Sequence, residues 1–187
     1  MRRFSLSAAL TAALALLAVP AVASDNGFYL GASVGQAEIK IEDLAEDAGT
    51  VDFSATDTAY KVFAGFRFLT FLGVEGSYVD LGAPQEDVDG GTLEADVTGY
   101  DAFAVGFLPL GIADVFAKVG MMSWDGKVNV DLEDLSGSFS DSGTDPAYGL
   151  GFQLRFKSFA ARAEVEYFDI AGADNVYMYS IGGSYTF

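Results

Sequence analysis

Residues 59–82 read AYKVFAGFRFLTFLGVEGSYVDLG and contain two runs in which apolar residues alternate with polar or small ones. In the first run one face is wholly apolar, with Tyr60, Val62, Ala64, Phe66 and Phe68, and the other is mixed, with Lys61, Phe63, Gly65 and Arg67. Side chains of a strand point to opposite faces with a period of two residues. Because only residues 69–71 separate the runs, the stretch predicts an antiparallel hairpin with one apolar face.

The chain carries eight such segments of strand length after residue 24, and no second apolar run long enough for a spanning helix. The predicted strands cover residues 27–37, 58–68, 72–81, 98–108, 113–124, 147–157, 159–168 and 176–187. Long acidic connections alternate with connections of a few residues, which is typical of an up-and-down barrel in a bilayer. The predicted fold class is all-β: an eight-stranded antiparallel transmembrane β-barrel with long acidic extracellular loops and short periplasmic turns.

Periodicity alone leaves open whether the apolar face points to lipid or into the core of a soluble barrel. Three features favour the membrane barrel: the polar face is rich in glycine, serine and alanine, it carries charges of both signs, and the aromatic residues are graded. Tyrosines lie at the long-loop ends of the strands and phenylalanines at the short-turn ends, as in the two aromatic girdles of a membrane barrel. These girdle positions are Tyr60, Tyr78, Tyr148, Tyr167 and Tyr177, and Phe28, Phe68, Phe107, Phe156 and Phe187.

The first residues have the organisation of a secretory signal peptide. Arg2 and Arg3 precede an uncharged run from Phe4 to Val19, and Ala21-Val22-Ala23 fits a small-x-small cleavage site. The alternative, a membrane-anchoring helix, is disfavoured because the apolar run is short and ends at Pro20. We therefore predict a cleaved signal peptide over residues 1–23 and a single barrel domain over residues 24–187.

Composition excludes several classes of function. The chain of 187 residues has no histidine and no cysteine, so imidazole acid–base chemistry and thiolate metal sites are absent. A formal net charge of −17 disfavours nucleic acid, because phosphates must be met by cations. Most acids lie in the predicted long loops. They either keep the surface solvated or bind divalent cations that tie the loops to lipopolysaccharide. No metal site and no cofactor is predicted.

The strand register points ten charged or amide side chains into the lumen. They are Lys61, Arg67, Glu75, Asp114, Lys118, Gln153, Arg155, Arg162, Glu164 and Glu166. Eight strands leave an interior that side chains just fill, so this nearly balanced set is expected to pair internally. Two interpretations remain open: a fixed plug of salt bridges, or a gate in which a salt bridge exchanges partners. Asp101 is predicted on the lipid side near the rim.

The mature chain resembles the eight-stranded OmpA-like outer-membrane barrels. The resemblance rests on residues 26–35 for the first strand, on 63–68 with 73–82 and 105–110 with 116–120 for two hairpins, and on 181–187 for the closing strand. In that family the terminal aromatic residues form an assembly signal, which corresponds here to Tyr185 and Phe187. The resemblance therefore implies the barrel-insertion machinery and periplasmic chaperones as partners, besides outer-membrane lipid and lipopolysaccharide.

The resemblance also implies an internal pair between Glu75 and Arg162, where the family has its gate. Two other gate positions differ: Gln153 replaces a glutamate and Ala104 replaces a lysine, with Lys118 as a candidate substitute. A fixed Glu75–Arg162 bridge is thus the safer expectation than an exchanging gate.

The function predicted from the sequence is a structural or surface role with a charge-paired, largely filled lumen. The alternatives are a narrow channel for ions or very small solutes and an adhesin or receptor that uses its loops. An enzyme is not predicted: the small barrel enzymes use histidine, and Glu164 with Glu166 forms no substrate pocket that the sequence reveals.

Overall fold

The computed structural model describes residues 26–41, 53–83, 85–88, 91–132, 135–170, 173 and 175–187. The regular elements in these ranges are β1 (Gly27–Ile41), β2 (Phe53–Leu69), β3 (Leu72–Asp80), β4 (Gln85–Val88), β5 (Gly91–Leu110), β6 (Ala113–Leu132), β7 (Leu135–Phe156), β8 (Phe159–Phe168) and β9 (Asn175–Thr186). Within them no helix is long and apolar enough to cross a membrane. The predicted signal peptide lies outside the described residues.

The strands close into a barrel. Antiparallel neighbours follow the order β3-β2-β1-β9-β8-β7-β6-β5, and β5 pairs back with β3. The short β4 pairs with β5 above β3, so β3 and β4 share one position in the wall. The predicted eight-stranded antiparallel barrel is confirmed. Two-residue turns join the strands at one end, which we call the turn end, and the opposite end is the hairpin end.

Three strands are much longer than the sequence predicts. β5, β6 and β7 contain 20, 20 and 22 residues, whereas about 9–11 residues cross a bilayer. Large parts of the predicted loops 80–98 and 125–146 are therefore paired strands that project beyond the barrel. Apolar residues do alternate there, as in Leu93, Ala95 and Val97 of β5 and in Val128, Val130 and Leu132 of β6, but the acids between and beyond them favoured loops. Backbone pairing continues nevertheless, and it carries Asp96, Asp125 and Asp141 within strands.

The outer face is apolar where a membrane would cover it. Phe66 and Phe152 are 49% and 42% exposed, and Ile181 is 67% exposed. Rings of Tyr148, Tyr167, Tyr177 and Tyr179 follow one another in contact near the hairpin end, and Phe28, Phe159, Tyr185 and Phe187 do so near the turn end. The two groups lie at the levels predicted for the aromatic girdles.

β5 corrects two sequence predictions. Phe107 was assigned to the outer girdle, but it is only 6% exposed and lies inside the barrel beside Phe116. Asp101 was assigned to the lipid side, but it is also 6% exposed and faces inward. Residues of both parities in β5 are apolar, so hydrophobic alternation cannot select its inner face. The register against its neighbours decides it.

The wall is interrupted between β3 and β4 at Gly82, whose φ of 82° suits glycine. An Asp80 carboxylate oxygen accepts a hydrogen bond from the Gly82 N–H at 3.0 Å. Asp57 of β2 accepts one from the Ala83 N–H at 2.9 Å. These bonds satisfy backbone donors that the ladder no longer serves and hold the break against β2.

Candidate functional site: the closed lumen

Aromatic rings fill the middle of the lumen because glycines on adjacent strands leave room for them. A Cβ at Gly65 would overlap the Tyr29 ring, and one at Gly151 would overlap Phe116. Lys118 lies over Gly149 in the same way. A glycine within a strand weakens that strand. At inward positions, however, it leaves space for a large side chain from a neighbouring strand to cross the narrow interior.

Six ionised side chains meet at mid-height, and we call them the central ion cluster. Its cations are Lys61, Lys118 and Arg162, and its anions are Glu75, Glu164 and Glu166, all with side chains 0–1% exposed. The three positive and three negative charges cancel. Full pairing is required in such a place, because an unpaired ion removed from water costs several kcal/mol.

Glu75 lies at the centre of one half of this cluster. Its Oε2 is 2.7 Å from Nη1 of Arg162, and its Oε1 is 3.1 Å from Nη2, which is a bidentate pair. Oε1 also accepts from Lys118 Nζ at 3.2 Å, and Oε2 accepts from the Tyr29 hydroxyl at 2.9 Å. Glu75 therefore joins four strands: β1, β3, β6 and β8.

Lysines connect this half to the glutamates of β8. Nζ of Lys118 is 3.0 Å from Glu164 and 2.6 Å from Glu166. Lys61 approaches Glu166 at 2.5 Å and also pairs with Glu164. Each lysine thus contacts more than one carboxylate, which immobilises it without a single preferred partner.

Aromatic faces enclose the cations from above and below. The Arg162 guanidinium carbon is 4.1 Å from the Phe116 ring centroid and 4.7 Å from that of Phe63. Lys118 Nζ is 4.5 Å from the Phe103 ring centroid. Cation–π contacts of this kind gain strength in desolvated places. They replace the water that an open lumen would supply.

A second polar group lies toward the turn end. Asp114 Oδ2 is 3.0 Å from both Arg67 Nη1 and Arg155 Nε, and it accepts from Gln153 Nε2 at 2.7 Å. Arg67 donates from Nε to the Thr70 carbonyl at 3.0 Å. Arg155 donates to the Gly111 carbonyl at 2.8 Å. One buried carboxylate therefore positions two arginines that each hold a turn.

Toward the hairpin end the interior is apolar, which the sequence analysis did not predict. This hairpin-end apolar layer comprises Ile39, Val79, Leu81, Met122, Trp124, Phe168, Ile170, Val176 and Met178, all buried and in one contiguous cluster. Trp124 Nε1 donates to Asp145 at 2.7 Å. The sequence does place apolar residues at inward positions near this end, namely Met122, Val176 and Met178. The prediction considered the charged inward positions and not these.

Asp101 lies on the inner face of β5, the strand whose Phe103 ring contacts Lys118 of the central ion cluster. Ser77 Oγ donates to one of its carboxylate oxygens. Both residues are on inward positions of neighbouring strands, which explains how an acid remains inside the wall.

The structure brings all ten predicted lumen residues to the interior, six in the central ion cluster and four in the group around Asp114. Glu75 lies beside Arg162 and Lys118, and Ala104 faces outward. Arg155 contacts Asp114 of β6. Among the described residues no group of three or more acids is placed to hold a metal ion.

The geometry describes a lumen that is closed in successive layers. A cavity of about 30 Å³ lies at the turn end. Larger concavities are lined by outward-facing residues such as Val34, Leu150 and Ile181.

Comparison with solved structures shows the same fold at low identity. The Neisserial surface protein A barrel has a TM-score of 0.64 and 15% identity, covering 86% of this chain and 97% of that one. OprG from Pseudomonas aeruginosa has a TM-score of 0.61 and 15% identity, covering 89% and 99%. The Yersinia pestis attachment invasion locus protein, Ail, has 0.54 and 20%, covering 86% and 99%.

Sequence comparison with curated proteins finds no significant match. Residues 9–187, however, match the profile of the family described as the outer membrane protein beta-barrel domain. With the closed eight-stranded wall and its apolar outer face, this match shows that the chain belongs to the outer membrane protein beta-barrel domain family.

Proposed function

We propose that this protein is a closed barrel with a structural and surface role, and that it conducts ions weakly or not at all. The filled lumen carries the proposal. An ion moving through it would have to shed water against the hairpin-end apolar layer and then separate the charge-balanced central ion cluster. We place the hairpin end outside the cell and the turn end in the periplasm, as long hairpins are arranged in such barrels.

Planar-bilayer recording of the refolded barrel tests this proposal, with Arg162→Ala as a second sample. Folding of both is checked first by heat-modifiable gel mobility. We expect silence from the wild type, and also from Arg162→Ala, because the apolar layer remains. Discrete openings in the wild type would refute the closed barrel and favour the alternative, a narrow channel. Openings only in the variant would show that the central ion cluster alone is the barrier.

A second candidate function, recognition at the cell surface, is favoured by one edge of the projecting strands. Residues 135–145 of β7 pair with β6, whereas pairing of β7 with β8 begins at Ala147. In the described part of the chain no strand covers that edge. An uncovered row of backbone donors and acceptors can add a strand from a partner.

Charge selects the kind of partner for this edge. Asp96, Asp125, Asp141 and Asp145 lie on the projection against Lys127. A second copy would bring the same negative charge, so the projection favours an extended cationic peptide. Ail was solved with the heparin analogue sucrose octasulfate, and a polyanion of that kind is not expected to bind here.

Binding of an alternating Lys/Val decapeptide to the barrel in micelles tests the second candidate. Its matched controls are a Glu/Val decapeptide and a Lys/Val peptide N-methylated at every second residue, which cannot extend the ladder. Saturable binding of the first peptide alone is expected. Equal binding of the N-methylated peptide would indicate charge attraction without strand addition and would refute this mode.

The proposed partners in the membrane follow from the outer face. Its apolar band contacts outer-membrane lipid and lipopolysaccharide, and Tyr185 with Phe187 at the turn end serves recognition by the barrel-insertion machinery after delivery by periplasmic chaperones. The two rings lie 5.0 Å apart on the lipid-facing side of β9, where such machinery has access.

A further inference from the structure

The turn end of the barrel carries a cationic pocket that the closed-lumen function does not use, and we propose that it binds a phosphate group. The pocket is lined by Arg67, Arg155, Lys157, Gln153, Ser184 and Thr186, with aromatic side chains around them. The phosphate is that of a phospholipid headgroup in the periplasmic leaflet or of a free periplasmic anion.

Charge is the first argument. Three cations line the pocket, and no acidic side chain does. Asp114, which is fully buried, bridges Arg67 and Arg155. The lining of the pocket is therefore cationic, whereas the central ion cluster is balanced.

Preorganisation is the second argument. The Thr70 carbonyl holds Arg67 through Nε, and the Gly111 carbonyl holds Arg155. Arg67 also lies 4.2 Å from the Phe107 ring centroid, which supports its guanidinium from one side. Guanidinium groups fixed in this way bind phosphate oxygens with little further loss of side-chain freedom. The hydroxyls of Ser184 and Thr186 add donors for the remaining oxygens.

Position is the third argument. Phe159, which also lines the pocket, is 65% exposed on the outer face. Lys157 lies in the adjoining turn with a φ of 58°. The pocket therefore extends from the barrel interior to the rim, at the depth where the aromatic girdle meets headgroups.

The test is an NMR titration of the full barrel in a non-ionic maltoside micelle, which contains no phosphate. The probes are inorganic phosphate and short-chain dihexanoyl phosphatidylglycerol, each at constant ionic strength set with chloride. The readouts are the backbone amides of Ser184 and Thr186 and the side-chain Nε–H of Arg67. Saturable shifts with either probe are expected.

Two variants and one control locate the site. Lys157→Asn removes a charge while asparagine tolerates the left-handed φ, and Arg155→Gln removes a guanidinium. Each is expected to weaken binding about tenfold, the loss of roughly one charge-assisted contact. Lys127→Gln removes a cation from the opposite end and is expected to change nothing.

The two probes distinguish a lipid headgroup from a free anion as the ligand. Saturation by phosphatidylglycerol alone identifies a lipid headgroup site, and saturation by inorganic phosphate as well shows that the free anion suffices. Absence of saturable shifts with both probes overturns the proposal. So does binding that Lys157→Asn and Arg155→Gln leave unchanged, since the phosphate would then lie elsewhere.

Discussion

Removing the charge of Glu75 is expected to destabilise the barrel strongly, although the change is small in shape. Glu75→Gln keeps a side chain of the same length, but it leaves the central ion cluster with three cations and two anions. Arg162 loses a bidentate partner at 2.7 and 3.1 Å, and Lys118 loses one at 3.2 Å. Side chains there are 0–1% exposed, so water cannot replace the carboxylate.

Breaking a buried pair by removing one partner costs about 3–5 kcal/mol. We expect that loss for Glu75→Gln, which is a decrease of roughly two to three and a half orders of magnitude in the folding equilibrium constant. Glu75→Gln combined with Lys118→Met restores neutrality, and methionine suits the Phe103 ring beside it. The double variant is therefore expected to recover about 2–3 kcal/mol relative to the sum of the single losses.

Equilibrium unfolding in denaturant, with the protein in lipid vesicles, measures these differences. Trp124 is the sole tryptophan and is buried in the hairpin-end apolar layer, so its fluorescence reports unfolding. Lys127→Met, in an exposed part of β6, controls for general loss of a cation and is expected to cost less than about 0.5 kcal/mol. A loss under about 1 kcal/mol for Glu75→Gln, or strict additivity in the double variant, would mean that water reaches the cluster. The closed-lumen reasoning would then fail.

Two further outcomes are expected from the packing. Gly65→Ala would place a Cβ within the Tyr29 ring and is expected to cost about 1–3 kcal/mol of unfolding free energy; Gly76→Ala, whose Cβ meets only a carbonyl oxygen at 3.4 Å, is the matched control and is expected to be nearly neutral. Similar midpoints for both variants would contradict the packing argument. Asp57→Ala leaves the Ala83 N–H without its acceptor at 2.9 Å, so we expect a local loss of about 1–2 kcal/mol, seen as faster hydrogen exchange at residues 81–83 with little change in global unfolding. Unchanged exchange there would show that Asp57 does not hold the break between β3 and β4.

Much of the architecture is readable from the sequence because lipid imposes a simple rule. Each strand that crosses a bilayer needs an apolar outer face, and a period of two residues records that face in β2, β7 and β9. The projecting parts of β5 and β6 also alternate, as in Leu93, Ala95 and Val97 and in Val128, Val130 and Leu132. Their acids favoured an assignment to loops, and the pairing between strands shows their length.

The sequence by itself determined the barrel, the strand number and, apart from Asp101, the charges named here that face inward. Tertiary structure decided which of the other charges meet, because partners such as Lys61 and Glu166 lie on strands that do not pair and their heights depend on the stagger of the strands. It also decided that Arg155 contacts Asp114, and that β5 turns Asp101 and Phe107 inward although both of its faces are apolar. The apolar layer that closes the lumen follows from the same cause: it is assembled from several strands, and no single strand reveals it.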